Sequence, residues 1–224
     1  MSIKAIFLDF YGTVVHEEEE SLIKICHIIK EKSNTEATVA DIGHYWMKDF
    51  NQLLTNSQGE NFLKQRDVST TSLRNTLTEF NSTANENELL ELMFHQWKNP
   101  SIYEDAVEFF EKNKLPVYIL SNVDHSDITD AINQLQLKVD GVITSETVKA
   151  YKPSREMFEH ALTLTNFSPD EVLHVGDSLP GDVSGANQVG IKSAWLNRKG
   201  KPLSGDSKPT YVIENLNEIL NLIQ

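Results

Sequence analysis

Four short polar groups hold the residues of this chain best suited to chemistry. Asp9-Phe10-Tyr11-Gly12-Thr13 comes first, Ser121-Asn122 and Lys152-Pro153 follow, and Gly176-Asp177-Ser178-Leu179-Pro180-Gly181-Asp182 is last. Singly, each has an ordinary structural use, as a turn, a cap or a loop opening. Together they supply a hydroxyl, an ammonium and three carboxylates. Asp9, Asp177 and Asp182 gathered at one place would repel one another unless a cation joined them. One Mg²⁺ with Lys152 would bring such a site near neutrality, and Mg²⁺ favours oxygen ligands and also coordinates substrate phosphate. The set therefore fits a metal-assisted carboxylate nucleophile acting on a phosphoryl group.

The elements that must position these residues are legible in the apolar runs before them. Ile3 to Leu8 reads as a buried strand, and Gly12 marks a sharp exit from it. After Pro100 the pattern alternates. A helix around Tyr103 to Asn113 leads to a strand at Pro116 to Leu120, a helix near Asp127 to Leu135 and a strand at Gly141 to Thr144. Helix Pro153 to Thr163, strand Val172 to Val175, helix Asp182 to Gln188 and strand Ile191 to Leu196 follow. Tyr211 to Ile213 reads as an edge strand before a last amphipathic helix through Leu216 and Ile223. Alternation of this kind implies a parallel sheet covered on both faces. Ligands bind such sheets beyond the carboxyl ends of the strands, where all four polar groups fall.

From Glu17 to Pro100 the pattern is helical, with Asn/Ser/Thr-rich joints. The run Glu17 to Glu20 suits a helix N-terminus electrostatically. Thr38 with Asp41 three residues on resembles a capping signal for a helix carrying Ile42, Tyr45, Trp46 and Phe50. Leu89, Leu90, Leu92, Met93 and Trp97 mark another helix. Trp46 and Trp97 read as packing residues, and His174 as a satisfied core histidine. The expected division is an α/β core of residues 1–15 and 101–224, interrupted by a helical domain of residues 16–100.

Taken in order, Asp-x-x-Gly-Thr, Ser-Asn, Lys-Pro and Gly-Asp-x-x-x-x-Asp resemble the four motifs of the haloacid dehalogenase superfamily of hydrolases. The resemblance extends over the whole chain. It implies a Rossmann-like, doubly wound core with an inserted α-helical cap that closes over the site and selects the substrate. In phosphatases of that family the aspartate matching Asp9 attacks phosphorus and forms an aspartyl-phosphate. By the same resemblance Ser121 and Lys152 are catalytic, Asn122 and Thr13 support substrate binding, and Asp9, Asp177, Asp182 and the main-chain carbonyl of Tyr11 hold Mg²⁺. Tyr11 departs from the pattern, because most of these phosphatases carry at that position an aspartate that protonates the leaving oxygen. A phenol of ordinary pKa, about 10, can donate a proton at neutral pH but is a poor base. General acid–base catalysis contributes roughly 10²–10⁴-fold, so poor leaving groups should turn over slowly.

Tyrosine at this position also resembles the 2-haloacid dehalogenases, whose aspartate displaces halide from carbon. Halide leaves without a proton. Those enzymes need no metal, however, and carry Ser-x-Asn in place of Gly-Asp in the fourth motif. They also place a cap arginine where Met47 falls here. The expectation is thus a Mg²⁺-dependent phosphatase-type hydrolase of a small phosphorylated metabolite. The alternatives are a 2-haloacid dehalogenase-like hydrolase, or a phosphoryl-ligand-binding protein with negligible turnover.

Composition agrees with a small anionic substrate rather than a polymeric one. The 224 residues include 20 Lys and Arg against 33 Asp and Glu, a formal charge of −13. That balance disfavours nucleic acid and anionic membrane surfaces. A single cysteine, Cys26, excludes an internal disulfide and suits a reducing compartment. No apolar run approaches the roughly 18 residues of a membrane-spanning helix. The expected protein is cytoplasmic, and a monomer or homodimer.

Overall fold

A computed structural model describes residues 2–17 and 19–223, with the backbone alone at Glu19. The elements run β1 (Ala5–Leu8), α1 (Glu19–Glu31), α2 (Val39–Asn56), α3 (Gln65–Glu79), α4 (Glu86–Lys98), α5 (Glu104–Lys112), β2 (Val117–Ser121) and α6 (His125–Gln134). They continue through β3 (Gly141–Thr144), α7 (Ser145–Val148), α8 (Arg155–Thr165), β4 (Val172–Gly176), α9 (Ser184–Gln188), β5 (Lys192–Leu196), β6 (Tyr211–Ile213) and α10 (Ile219–Leu222). By contacts they form two compact units, Met1–Glu17 with Pro100–Gln224, and Glu18–Asn99.

The first unit is a six-stranded sheet in the order β3-β2-β1-β4-β5-β6, with every neighbouring pair parallel. All four residues of β1 are buried. A strand covered on both faces must be apolar on both, which explains its unbroken apolar run. Ile6 and Leu8 point into a cluster with Phe109, Ile128, Ala131 and Ile219, whereas Ala5 and Phe7 join Met157, Phe158 and Ala161 of α8. β2 and β3 lie to one side of β1, and β4 to β6 to the other. The crevice at this reversal, beyond the ends of β1 and β4, is where an open parallel sheet holds ligands. Asp9 and Asp177 each directly follow one of these two strands.

One local difference from the sequence expectation concerns the last motif. The expected helix from Asp182 begins instead as a π-type turn over Leu179–Val183, continued by α9. Ser178 caps that turn by accepting from the Gly181 N–H at 3.0 Å. Asp182 is buried within that turn.

The second unit packs α2 on α1 and α3, and α4 on α1 and α3. Thr38 caps α2 in a full capping box with Asp41, as the spacing suggested. Trp46 and Trp97 are both buried. The acidic run straddles the start of α1, whose first two residues are Glu19 and Glu20; Glu18 lies outside the described residues. α3 was not singled out from sequence because its inner face carries Ser69, Ser72 and Thr76 beside Val68, Leu73 and Leu77. Among the described residues, no helix is long and apolar enough to cross a membrane.

Candidate active site

Asp9 is the first residue beyond β1, and its N–H donates to the Val175 carbonyl of β4 at 2.9 Å. The chain then turns within five residues. The Val14 N–H returns to the Phe10 carbonyl at 2.8 Å, and the Gly12 N–H donates to the Val15 carbonyl at 2.8 Å. Gly12 has φ +86°, a conformation that glycine adopts without steric cost. A Cβ there would also stand 2.8 Å from Asp177 Oδ2, so glycine is what lets this turn reach Asp177. Gly176 has a parallel duty at the end of β4, since a Cβ there would fall 2.2 Å from Asp182 Cγ.

Lys152 joins the two strand ends. Its buried ammonium donates to Asp9 Oδ1 at 2.6 Å and to Asp182 Oδ1 at 2.7 Å. Asn122 fixes the main chain that carries it. The carboxamide oxygen of Asn122 accepts from the Lys152 N–H at 2.8 Å, and its nitrogen donates to the Lys152 carbonyl at 3.5 Å. Asn122 is itself tethered through its carbonyl, which accepts from Ser145 Oγ at 2.7 Å. Ser121, buried at the end of β2, accepts from the Val123 N–H at 3.2 Å.

The electrostatics follow from burial and crowding. Burial, opposed by Lys152 and reinforced by Asp182, leaves the Asp9 carboxyl above its ordinary pKa. Burial penalises the charge on Lys152 too, but Asp182 and Asp9 outweigh it and hold the ammonium firmly protonated. Asp182 is likewise pushed up by burial, yet Lys152 and a hydrogen bond from His174 hold it below the carboxylate range. For Asp177 the pull of Lys152 is the weakest of the influences. Burial and the nearby Asp9 and Asp182 raise it to about 8.

The three aspartates offer oxygens within 4.8 Å of one another. One ammonium cannot balance three carboxylates, and the raised Asp177 expresses that deficit. Asp9 Oδ2 is buried with no hydrogen-bond partner among the described residues. A hard divalent cation with oxygen ligands answers both features, so the donor set fits Mg²⁺.

The remaining expected residues lie on the same turn. Tyr11 is partly buried, packed on the apolar cluster and edge-to-face with Phe10 at 5.2 Å between ring centroids. Thr13 is fully buried. Its hydroxyl has no well-aligned hydrogen-bond partner among the described residues, although its nearness favours the charged form of Asp9.

His174, expected as a satisfied core histidine, is fully buried, and its Nε2 lies 3.0 Å from Asp182 Oδ1 with its ring edge-to-face against Phe158, so it also reaches the site. Its position in β4 two residues before Gly176 was the available signal, since alternate residues of a strand share a face. Arg198, beyond β5, donates to the Thr13 carbonyl at 2.9 Å. Nothing in the local sequence marks that contact, which spans most of the chain.

A family model described as haloacid dehalogenase-like hydrolase matches residues 3–190. The chain belongs to the haloacid dehalogenase-like hydrolases. An (S)-2-haloacid dehalogenase of Pseudomonas putida is 30% identical over 120 residues, which cover 52% of each chain. The chain thus spans about half the length of the first curated relatives it matches. An N-acylneuraminate-9-phosphatase of Rattus norvegicus is 25% identical over 169 residues, covering 70% of this chain and 68% of that one. Among solved structures, the L-2-haloacid dehalogenase RSc1362 superposes with a TM-score of 0.83 at 21% identity, over 100% of both chains. The HAD-hydrolase YfnB of Bacillus subtilis, solved bound to magnesium, gives 0.73 at 20% identity, again over 100% of both. These likenesses establish an α/β fold with a six-stranded parallel sheet and a helical insertion. The similar curated proteins include both dehalogenases and phosphatases, and the similar solved structures include several dehalogenases.

Proposed function

We propose that this hydrolase is a Mg²⁺-dependent phosphatase acting on a small phosphorylated metabolite, with Asp9 as nucleophile. The observation that carries the reading is the cluster of Asp9, Asp177 and Asp182 served by a single ammonium. A site for displacing halide from carbon has no need of two further carboxylates crowded against its nucleophile. Asp9 and Asp177, Asp182, with the main-chain carbonyl of Tyr11, are the groups assigned to the cation. When bound, Mg²⁺ would supply charge neutralisation to the substrate's phosphoryl oxygens.

In this reading an oxygen of Asp9 attacks phosphorus, the ester P–O bond breaks, and the alcohol departs. Water then cleaves the aspartyl-phosphate, releasing inorganic phosphate and restoring Asp9. Ser121 donates to a phosphoryl oxygen. Lys152 offsets charge on Asp9 and on the phosphoryl group, held in register by Asn122 through its main chain. Thr13 supports the nucleophile turn, and Tyr11 donates the proton to the leaving oxygen. The helical segment 16–100 takes the role of the substrate-selecting cap.

A second reading has its own support. Tyr11 and the names of the similar dehalogenases favour attack of Asp9 on the halogen-bearing carbon of a 2-haloacid, with halide leaving unprotonated. Assays of purified protein separate the two. Phosphate release from aryl and acyl phosphates, stimulated by Mg²⁺ and abolished by Asp9→Asn, is the expected outcome. Halide release from 2-chloropropionate in EDTA, without phosphate release, would transfer the assignment to the second reading.

A further inference from the structure

We infer that Arg198 is a positioning residue for the nucleophile turn, acting through the main-chain carbonyl of Thr13. Three contacts meet at its guanidinium, and a fourth anchors its acidic partner. Nη2 donates to the Thr13 carbonyl at 2.9 Å. Nη1 donates to Asp105 Oδ2 at 2.7 Å, and the side chains of this pair are only 17% and 10% exposed. The guanidinium carbon stands 4.0 Å over the centre of the Tyr103 ring. Asp105 Oδ2 also accepts from the Leu216 N–H at 2.8 Å, which anchors the acid to the chain after β6.

These contacts hold the turn through its main chain rather than through the reacting carboxylate. The Thr13 carbonyl belongs to a tight turn whose N–H groups return to Phe10 and whose Gly12 leaves no room for a Cβ beside Asp177. A shift at Thr13 therefore moves both Asp9 and the close approach of Gly12 to Asp177. Tyr103 reinforces the same region. Its N–H donates to the Val14 carbonyl at 3.1 Å, its ring stacks on His16 at 3.7 Å, and Val15 pairs with Ile102. Arg198, on the chain after β5, thus joins the turn after β1 to the start of α5, and Asp105 carries the link on to the chain after β6.

A lysine cannot replace this geometry. Its ammonium lacks the planar fork that serves Thr13, Asp105 and the Tyr103 face together. Misplacing a reacting group by a fraction of an ångström to 1 Å costs catalysis far more than it costs binding.

The inference rests on Asp9 being the nucleophile, so its test has an arm independent of turnover. Arg198→Lys is compared with wild type and with Arg74→Lys, an exposed guanidinium paired with Glu86 in the other unit. In Mg²⁺ with an aryl phosphate, Arg198→Lys is expected to lower kcat by about tenfold or more while KM changes less than about twofold. Amide exchange in the segment 10–15 is expected to quicken, with exchange in β4 and β5 unchanged. Arg74→Lys should do neither. Unchanged kcat overturns the inference, as does a loss of kcat explained wholly by the unfolded fraction at the assay temperature. If wild type turns over neither an aryl phosphate nor a 2-haloacid, the functional reading has failed. The exchange arm then decides alone, and unchanged exchange in segment 10–15 overturns the inference.

Discussion

Lys152 touches two of the three clustered aspartates, and the third bears the consequence. Asp177 is held to about 8 by burial and by the charges of Asp9 and Asp182. Replacing it with asparagine removes a carboxyl that is costly without a cation and is needed with one. Asp177→Asn is therefore expected to raise the melting temperature of the protein in EDTA and to abolish the further rise that millimolar Mg²⁺ gives wild type. Thermal melts with and without Mg²⁺ check this, and an undiminished Mg²⁺ effect in the variant would remove Asp177 from the metal set. Tyr11 makes a second test at this scale. If the site lacks only a carboxylate acid, Tyr11→Asp should raise kcat on alkyl phosphates by about 10²-fold and much less on aryl phosphates, whose leaving groups need little protonation. Steady-state rates on the two ester classes measure the contrast. The ring of Tyr11 sits on apolar neighbours, so its replacement also costs packing, and activity is to be normalised to folded protein.

At the level of elements, legibility in the sequence tracked how each element buries itself. β1, β2 and β4 announce themselves as apolar runs because they are covered on both faces, and each ends where a polar residue enters the crevice. Asp9, Ser121 and Asp177 were visible for that reason. α3 was not, because a helix whose inner face mixes Ser69, Ser72 and Thr76 with Leu73 and Leu77 has no apolar stripe. Those hydroxyls have jobs. Ser72 Oγ accepts from the buried Trp46 Nε1 at 3.0 Å. Ser72→Ala would strand that indole N–H and is expected to cost about 1–3 kcal/mol. Thr78→Ala, on the exposed side of the same helix, should stay within roughly 0.5 kcal/mol. Urea unfolding of the two variants gives the comparison. Arg198 and the main-chain role of Asn122 were hidden for another reason: their partners, Thr13 and Lys152, are distant in sequence and are met through backbone atoms that carry no residue signature.

Across the whole molecule, an excess of acid coexists with a site that, in the proposed reading, takes an anion once a cation is bound. The formal charge is −13, yet the strand ends bring one fixed ammonium to a cluster that a divalent cation would complete. Net charge describes the surface a polyanion would meet, whereas a small phosphate ester meets the local field of the crevice. The chain belongs to the haloacid dehalogenase-like hydrolases, and in the proposed reading the choice between phosphorus and a halogen-bearing carbon rests on which adduct forms on Asp9. Acid quenching during turnover, followed by peptide mapping by mass spectrometry, reads that adduct directly. With Mg²⁺ and an acyl or aryl phosphate, the phosphoryl group should be found on the peptide containing Asp9 and be absent from the Asp9→Asn protein. Turnover of the phosphate ester with no label on that peptide, or an alkyl ester on Asp9 formed from a 2-haloacid in EDTA, would contradict it.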